Sequence, residues 1–209
     1  QETSLAGPTV AAPTPIEPAS RVISLFSNAY TNVAVDTWSA SWDVADVEDV
    51  TVAGNATKKY TNLTYAGVEF HTPGPVIDAS SMERFHADIW TPDASTFKLK
   101  LVDFGANGAY GGGDDTEHEL TFTPTLGNWY SIDVPLSNFT GLTSRAHLSQ
   151  LIIVGDGGNK SVWVDNVYLY KLPPTQPMVA APTPTQPSAN VKSLFSNAYT
   201  NSPVDTWSA

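Results

Sequence analysis

The chain has 209 residues, a formal charge of −11 and no cysteine. That charge sets it against nucleic acid and anionic lipid surfaces, which would repel it at long range; the missing cysteine excludes disulfides, thiolate metal sites, thiol nucleophiles and a lipid-modified Cys. No apolar run reaches the about 18 residues that a membrane-spanning helix needs, so no membrane insertion is expected, while neutral polymers and cations such as Ca²⁺ are left as partners.

In chain order, Gln1-Glu2-Thr3 without a methionine reads as a mature end left after removal of a signal peptide, so the expected address is bacterial, secreted or on the cell surface. Ten of the 16 prolines fall in 1–20 and 171–190, mixed with Thr, Ala, Gln and Ser. With little apolar periodicity there, 1–20 and 172–190 read as Pro/Thr-rich linkers. Residues 21–171 form the folded body, which at about 150 residues needs no covalent staples.

Alternating patterns bounded by turn residues predict strands at Val22–Ser27, Val47–Val52, Lys58–Leu63, Gly67–His71, Arg84–Trp90, Thr96–Phe104, Glu117–Thr123, Trp129–Pro135, Gln150–Val154 and Ser161–Tyr170. Gly54-Asn55, Pro73-Gly74-Pro75, Pro92-Asp93, Gly111-Gly112-Gly113 and Gly155–Gly158 supply the turns. Many strands without covering helices predict an all-β fold, a two-sheet antiparallel β-sandwich of the jelly-roll kind. Period two assigns faces: Phe85, Ala87 and Ile89 inward, with His86, Asp88 and Trp90 outward; Phe97, Leu99 and Leu101 inward, with Lys98 and Lys100 outward. Were those two strands neighbours, one surface would gather all five outward side chains. A third strand would add Glu117 and Glu119, at the cost of turning His118 inward.

Residues 180–209 repeat residues 11–40 at 22 of 30 positions, at an offset of 169. So long a period fits a tandem array of whole domains rather than a solenoid. Residues 191–209 then read as the opening strand of an incomplete second repeat, which would leave Leu194, Phe195 and Tyr199 uncovered. Self-association through 191–209, or strand exchange into the place of Val22–Ser27 of another molecule, is expected from this.

The strings SLFSNAYTNVAVDTW at Ser24–Trp38, FHADIWTPD at Phe85–Asp93, KLVDFGANGAYGGGDDTEHEL at Lys100–Leu120, NWYSIDVPLSNFTGL at Asn128–Leu142 and VWVDNVYLY at Val162–Tyr170 together span residues 22–170. They resemble a jelly-roll, galactose-binding-like carbohydrate-binding module repeated in secreted multimodular polysaccharide-degrading and glycan-binding bacterial proteins. The resemblance implies a sandwich whose groove or loop rim binds polysaccharide, with any catalytic domain elsewhere in the polypeptide. It also implies a structural Ca²⁺ held by an Asp of the last strand, which Asp165 matches, and by groups near the first strand that cannot be matched singly.

Sugar binding needs flat apolar platforms for pyranose faces and planar polar groups for hydroxyls. Candidates for the platforms are Tyr30, Trp38 and Trp42 after the first strand, Trp90 and Tyr110; candidates for the polar partners are His86, Asp88, Lys98, Lys100, Glu117 and Glu119. Plain packing is the competing reading for each aromatic. Asp103, Asn107, Asp114 and Asp115 concentrate oxygen donors on a glycine-rich loop, which reads as a Ca²⁺ site, a solvated hairpin or the lip of a glycan groove. Asp88, Glu117 and Glu119 could supply paired glycosidase carboxylates, but no nucleophile or metalloprotease motif accompanies them. Duplication also favours a binder through effective concentration, so no catalysis is expected. The alternative function is a structural or adhesive repeat of a cell-surface filament, binding protein or nothing.

Overall fold

The structure, a computed structural model, describes residues 7–71, 76–155, 157–174 and 179–206. The expected turn at Pro73-Gly74-Pro75, the extreme N-terminus and Trp207 lie outside the described residues. The chain divides into two units, Gln1–Leu172 and Pro173–Ala209.

The first unit is built from β1 (Val22–Phe26), β2 (Val44–Val52), β3 (Asn55–Glu69), β4 (Arg84–Trp90), β5 (Phe97–Asp103), β6 (Thr116–Phe122), β7 (Trp129–Pro135), β8 (Leu148–Gly155) and β9 (Lys160–Tyr170). The named strands pair antiparallel in the order β6-β5-β8-β3-β9-β4-β7, with β1 also on β9 and β2 also on β3. β3 belongs to both layers of the sandwich. Its C-terminal part, Tyr65–Glu69, pairs with β8, and its N-terminal part, around Lys58–Leu63, pairs with β9. The front layer is therefore β6-β5-β8-β3, and the back layer is β3-β9-β4-β7 with β1 and β2.

Two sequence expectations need correction. The strands expected at Lys58–Leu63 and Gly67–His71 are one 15-residue strand. No turn residue separates them, because Thr64, Tyr65 and Ala66 are compatible with extended backbone, and the chain bends instead at Asn62, whose φ is +52°. The register shift between Tyr60 and Leu63 marks the bend. Second, β4 and β5 are not neighbours: β4 lies between β7 and β9, and β5 between β6 and β8. The surface combining His86, Asp88 and Trp90 with Lys98 and Lys100 therefore does not exist.

The face assignments hold within each strand. Phe85, Ala87, Ile89, Phe97, Leu99 and Leu101 are buried in one core with Leu63, Val68, Ile132, Leu151, Ile153 and Val164. His118 does turn inward: it is half-buried, lies edge-on to Phe139, and its Nδ1 accepts the Gly141 N–H at 3.1 Å. The buried Tyr60 hydroxyl donates to the Trp38 carbonyl at 2.7 Å, and burial pushes its pKa far up, with Asp43 and Asp49 adding to the rise.

Residues 7–18 run as an arm against the outer face of the back layer. Three arm carbonyls are hydrogen-bonded there: Val10 by the Trp129 indole at 2.8 Å, Pro13 by Asn166 Nδ2 at 2.8 Å and Glu17 by the Tyr30 hydroxyl at 2.8 Å. Ala12, within the arm, is buried. The contacts go to backbone carbonyls, which a proline-rich segment keeps even where proline has no N–H to offer.

The second unit, taken by itself, reproduces the local bonds of residues 17–32 at the same offset. Tyr199 donates to the Gln186 carbonyl at 2.7 Å, as Tyr30 does to Glu17, and Ser193 donates to Asn201 at 2.6 Å, as Ser24 does to Asn32 at 2.7 Å. Instead of a strand at Val191–Ser196 there is an isolated bridge, Ser193 to Asn201. Among the described residues this unit has no second strand for an extended segment to pair with.

Candidate functional site

The outer face of the front layer follows from register. Val102 lies between Glu117 and Gln150, and Gln150 faces Glu69; Lys100 lies between Glu119 and Ile152, which faces Gly67; Lys98 lies between Thr121 and Val154, which faces Tyr65. A groove of about 780 Å³ opens across one end of this face, lined by Trp42, Glu69, His71, Lys100, Phe104, Tyr110, Glu117, Gln150 and Ile152 among others.

Its aromatic wall is Trp42, which keeps 44% of its surface exposed. The loop that carries Trp42 is fastened to β3: Ala40 N–H donates to the Gly67 carbonyl at 3.0 Å, and Gly67 N–H to Asp43 at 3.0 Å. The ring lies stacked on Tyr65, with centroids 6.3 Å apart and planes at 20°. It also lies directly over Gly67, where a Cβ would come within 2.4 Å of the ring. Glycine at 67 is thus a requirement of close approach, since any side chain would push the indole off the strand.

Glu69 organises the groove floor. Its Oε1 accepts the Trp42 indole N–H at 3.1 Å and the Gln150 amide at 2.9 Å, while its Oε2 lies 3.9 Å from His71 Nε2. His71 packs on Phe104 at 4.9 Å, and Phe104 on Tyr110 at 5.9 Å. Opposite, Lys100 pairs with Glu117 at 3.0 Å.

The far lip is the loop after β5. Asp103 is buried and clamps both loop bases, accepting Gly105 N–H at 2.8 Å and His147 N–H at 2.9 Å. Asn107 donates to Asp114 at 2.6 Å, and Asp115 accepts Gly111 N–H at 2.6 Å. Gly108, Gly111, Gly112 and Gly113 all have positive φ, a backbone that residues with a Cβ resist. The resulting turn holds Tyr110 out, 77% exposed.

Of the residues expected to bind ligand, Trp42, Lys100, Tyr110 and Glu117 line this groove, and the Lys98–Glu119 pair, 2.9 Å apart, lies beside it. The others are elsewhere. Trp38 packs edge-on against Phe26 at 5.5 Å, beneath the Lys58 ammonium, and Tyr30 packs against Tyr168 at 5.4 Å. His86 stacks on Tyr168 at 4.6 Å, while Trp90 is buried edge-on against Trp163 at 5.1 Å. Sequence reasoning missed Glu69, His71, Phe104, Gln150 and Ile152. The alternation of Gln150, Ile152 and Val154 in β8 was the signal that could have found part of this set.

A second polar cluster lies under the arm. Asp165 and Asp88 are both buried. Asp165 accepts the Asn166 N–H at 2.7 Å and an Asn55 amide hydrogen; Asp88 accepts from Asn166 Nδ2 at 2.8 Å and from Ser131. Burial pushes the Asp165 carboxyl up to about 6, with Asp88 adding to the rise and the Asn166 and Asn55 hydrogen bonds opposing it. Two buried carboxylates and the Pro13 carbonyl are hard oxygen donors of the kind Ca²⁺ takes, with the Asn55 and Asn166 amide N–H groups turned toward them and Asn166 Oδ1 accepting the Ser27 hydroxyl. Among the described residues no ion pair joins a Lys or Arg to either acid, and His86 Nε2 lies 3.4 Å from Asp88. By donor chemistry the cluster around Asp165 fits the ion. Asp103, Asn107, Asp114 and Asp115 instead spend their polar atoms on loop backbone and on one another. Among the described residues no group of three or more acidic or histidine side chains is placed to hold a metal.

No protein-family model matches the chain, and no curated protein matches it in sequence. Solved structures do match. The family 11 carbohydrate-binding module of the cellulosomal cellulase Lic26A-Cel5E of Clostridium thermocellum is 18% identical, with a TM-score of 0.54 over 72% of this chain and 95% of that one. The family 11 module from Clostridium thermocellum in complex with a β-1,3-1,4-mixed-linked tetrasaccharide is 18% identical, with a TM-score of 0.53 over 72% and 95%. A family 30 carbohydrate-binding module is 11% identical, with a TM-score of 0.54 over 76% and 93%. The first unit has the jelly-roll fold of carbohydrate-binding modules.

Proposed function

We propose that the first unit binds an uncharged polysaccharide in the front-layer groove without chemically altering it. The observation that carries this reading is Trp42, a half-exposed ring held over Gly67 by backbone bonds and facing an ion pair across an open groove. A pyranose face stacks on such a ring while carboxylates, the Gln150 amide and Lys100 take its hydroxyls. Glu69 and Glu117 outnumber Lys100 in the groove, so a polyanionic glycan is disfavoured. Fold neighbours that are carbohydrate-binding modules support the reading. Gel retardation on β-glucan, xylan, agar and alginate tests it: retardation by a neutral polymer, lost in Trp42→Ala, is expected. A blank panel would favour the structural or adhesive repeat, and new reducing ends would reveal an enzyme.

The same reading includes a secreted or cell-surface address and a structural Ca²⁺ held by Asp165 and Asp88 with the Pro13 carbonyl. When bound, the ion would supply charge neutralisation and tie the arm to β9. Self-association through residues 191–209 is also proposed, because Leu194 and Phe195 are exposed in the second unit. Full strand exchange would put Lys192 where Ile23 packs and Ser202 where Val33 packs, so association is expected at high concentration alone. Light scattering that finds a monomer at every concentration would dispose of it.

A further inference from the structure

We infer that the glycan track continues beyond the Trp42 groove into a second subsite, so that a bound chain runs along strands β5 and β8 rather than across them. This rests on the polysaccharide reading. The second hollow, about 350 Å³, is lined by Thr64, Thr96, Lys98, Val154, Gly155 and the glycines that follow. Both hollows lie on the same outer face. Ile152 and Lys100 line the first, and Val154 and Lys98, two residues along the same strands on the same side, line the second. The direct cross-strand pairs Lys100–Ile152 and Lys98–Val154 make the two floors continuous.

The walls continue as well. On the β3 side Trp42 stacks on Tyr65, and Tyr65 pairs with Val154, so the aromatic wall reaches from one hollow to the edge of the next. On the β6 side the Lys100–Glu117 pair is followed by Lys98–Glu119. The aliphatic floor and the paired cation and carboxylate along one side thus recur at a two-residue step, while the aromatic rings belong to the first hollow. Glycines let the backbone close tightly round the far end. A Cβ at Gly158 would come within 2.8 Å of the Thr64 hydroxyl, and one at Gly155 within 2.7 Å of the Leu63 carbonyl. From Gln150 to Gly155 the strand covers about 17 Å, room for several sugar units in line.

The test is calorimetric titration of the full chain with trisaccharides and hexasaccharides prepared from mixed-linkage β-glucan, xylan and agarose. The hexasaccharide of the polymer that binds is expected to bind at least about tenfold more tightly than its trisaccharide. Thr96→Trp, which fills the second hollow, is expected to bring the hexasaccharide down to the trisaccharide's affinity and leave the trisaccharide unchanged. Lys98→Met, a smaller change that also removes the second ammonium, is expected to weaken the hexasaccharide alone by several-fold. Hexasaccharide affinity unaltered in both variants, with trisaccharide still bound, overturns the second subsite and spares the groove. Failure of every oligosaccharide to bind overturns the polysaccharide reading and the subsite with it.

Discussion

The two outer faces of the sandwich carry similar side chains and treat them oppositely. On the back layer Trp90 sits in register between Trp129 and Trp163, and beside this row lie His86, Asp88 and Asp165. On the front layer Trp42, Tyr65, Lys100, Glu117 and Glu69 make a comparable mixture. The difference is what lies on top. The arm crosses the back face, leaving Trp90 and Trp163 buried, and its carbonyls consume the Trp129 indole and the Asn166 amide. Nothing among the described residues covers Trp42 in that way. Aromatic content alone therefore does not identify a binding surface; an aromatic ring serves a ligand where its own chain leaves it uncovered.

The strongest way to break this comparison is to truncate one tryptophan on each face. Trp90→Ala removes a buried ring and should cost about 3 to 5 kcal/mol of stability, while the folded fraction still binds glycan with unchanged affinity. Urea unfolding and titration on the same sample would check both. Weakened binding with unaltered stability would show that the back face meets ligand after all.

Trp42→Ala should do the reverse, weakening binding by about 10- to 100-fold, which corresponds to about 1.4 to 2.7 kcal/mol, with little change in the unfolding midpoint. Gly67→Ala should follow it without touching the ring's chemistry, because the added methyl displaces the indole. A Gly67→Ala protein that binds as well as the parent would remove Trp42 from the site.

Much of this division was legible strand by strand and illegible between strands. Period two placed Phe85, Ala87 and Ile89 inside and Lys98 and Lys100 outside, because a side chain's face depends on its own neighbours in sequence. Which strand lies beside which depends on long-range pairing, and so the sequence leaves open whether β4 adjoins β5, which it does not. The arm was hidden for a related reason. Residues 7–18 have no periodicity, and the bonds that hold them use backbone carbonyls, which every sequence possesses. Trp42 was found as an aromatic in a loop, whereas Glu69 and Gln150 were lost among ordinary alternating strand residues.

Asp165→Asn sharpens the back-face half of the comparison. Burial beside Asp88 makes the charged Asp165 costly at neutral pH, as its rise to about 6 indicates. In chelator the Asn variant sheds that buried charge but turns an amide N–H onto one of the two donors from which Asp165 accepts. The two effects should offset and leave it within about 1 kcal/mol of the parent at neutral pH, with a stability that no longer falls as pH rises through about 6. With Ca²⁺ added, the parent should gain stability and the variant should not. Equal gains in both proteins would exclude Asp165 as a ligand of the ion.

The smallest expected effect isolates the arm. Trp129→Phe keeps a ring in place but removes the indole N–H that donates to the Val10 carbonyl at 2.8 Å. One hydrogen bond to a partly solvated carbonyl is worth about 0.5 to 1.5 kcal/mol. Because the Pro13 and Glu17 carbonyls keep their own donors, the loss should appear as local opening near Val10 rather than as global unfolding. Amide exchange should quicken about 2- to 12-fold for residues around Val10, with Ala12 and the β4–β9 ladder protected as before. If exchange instead rises along the whole arm and in β9 together, the arm docks as one cooperative piece, and its cover over the back face is all or none.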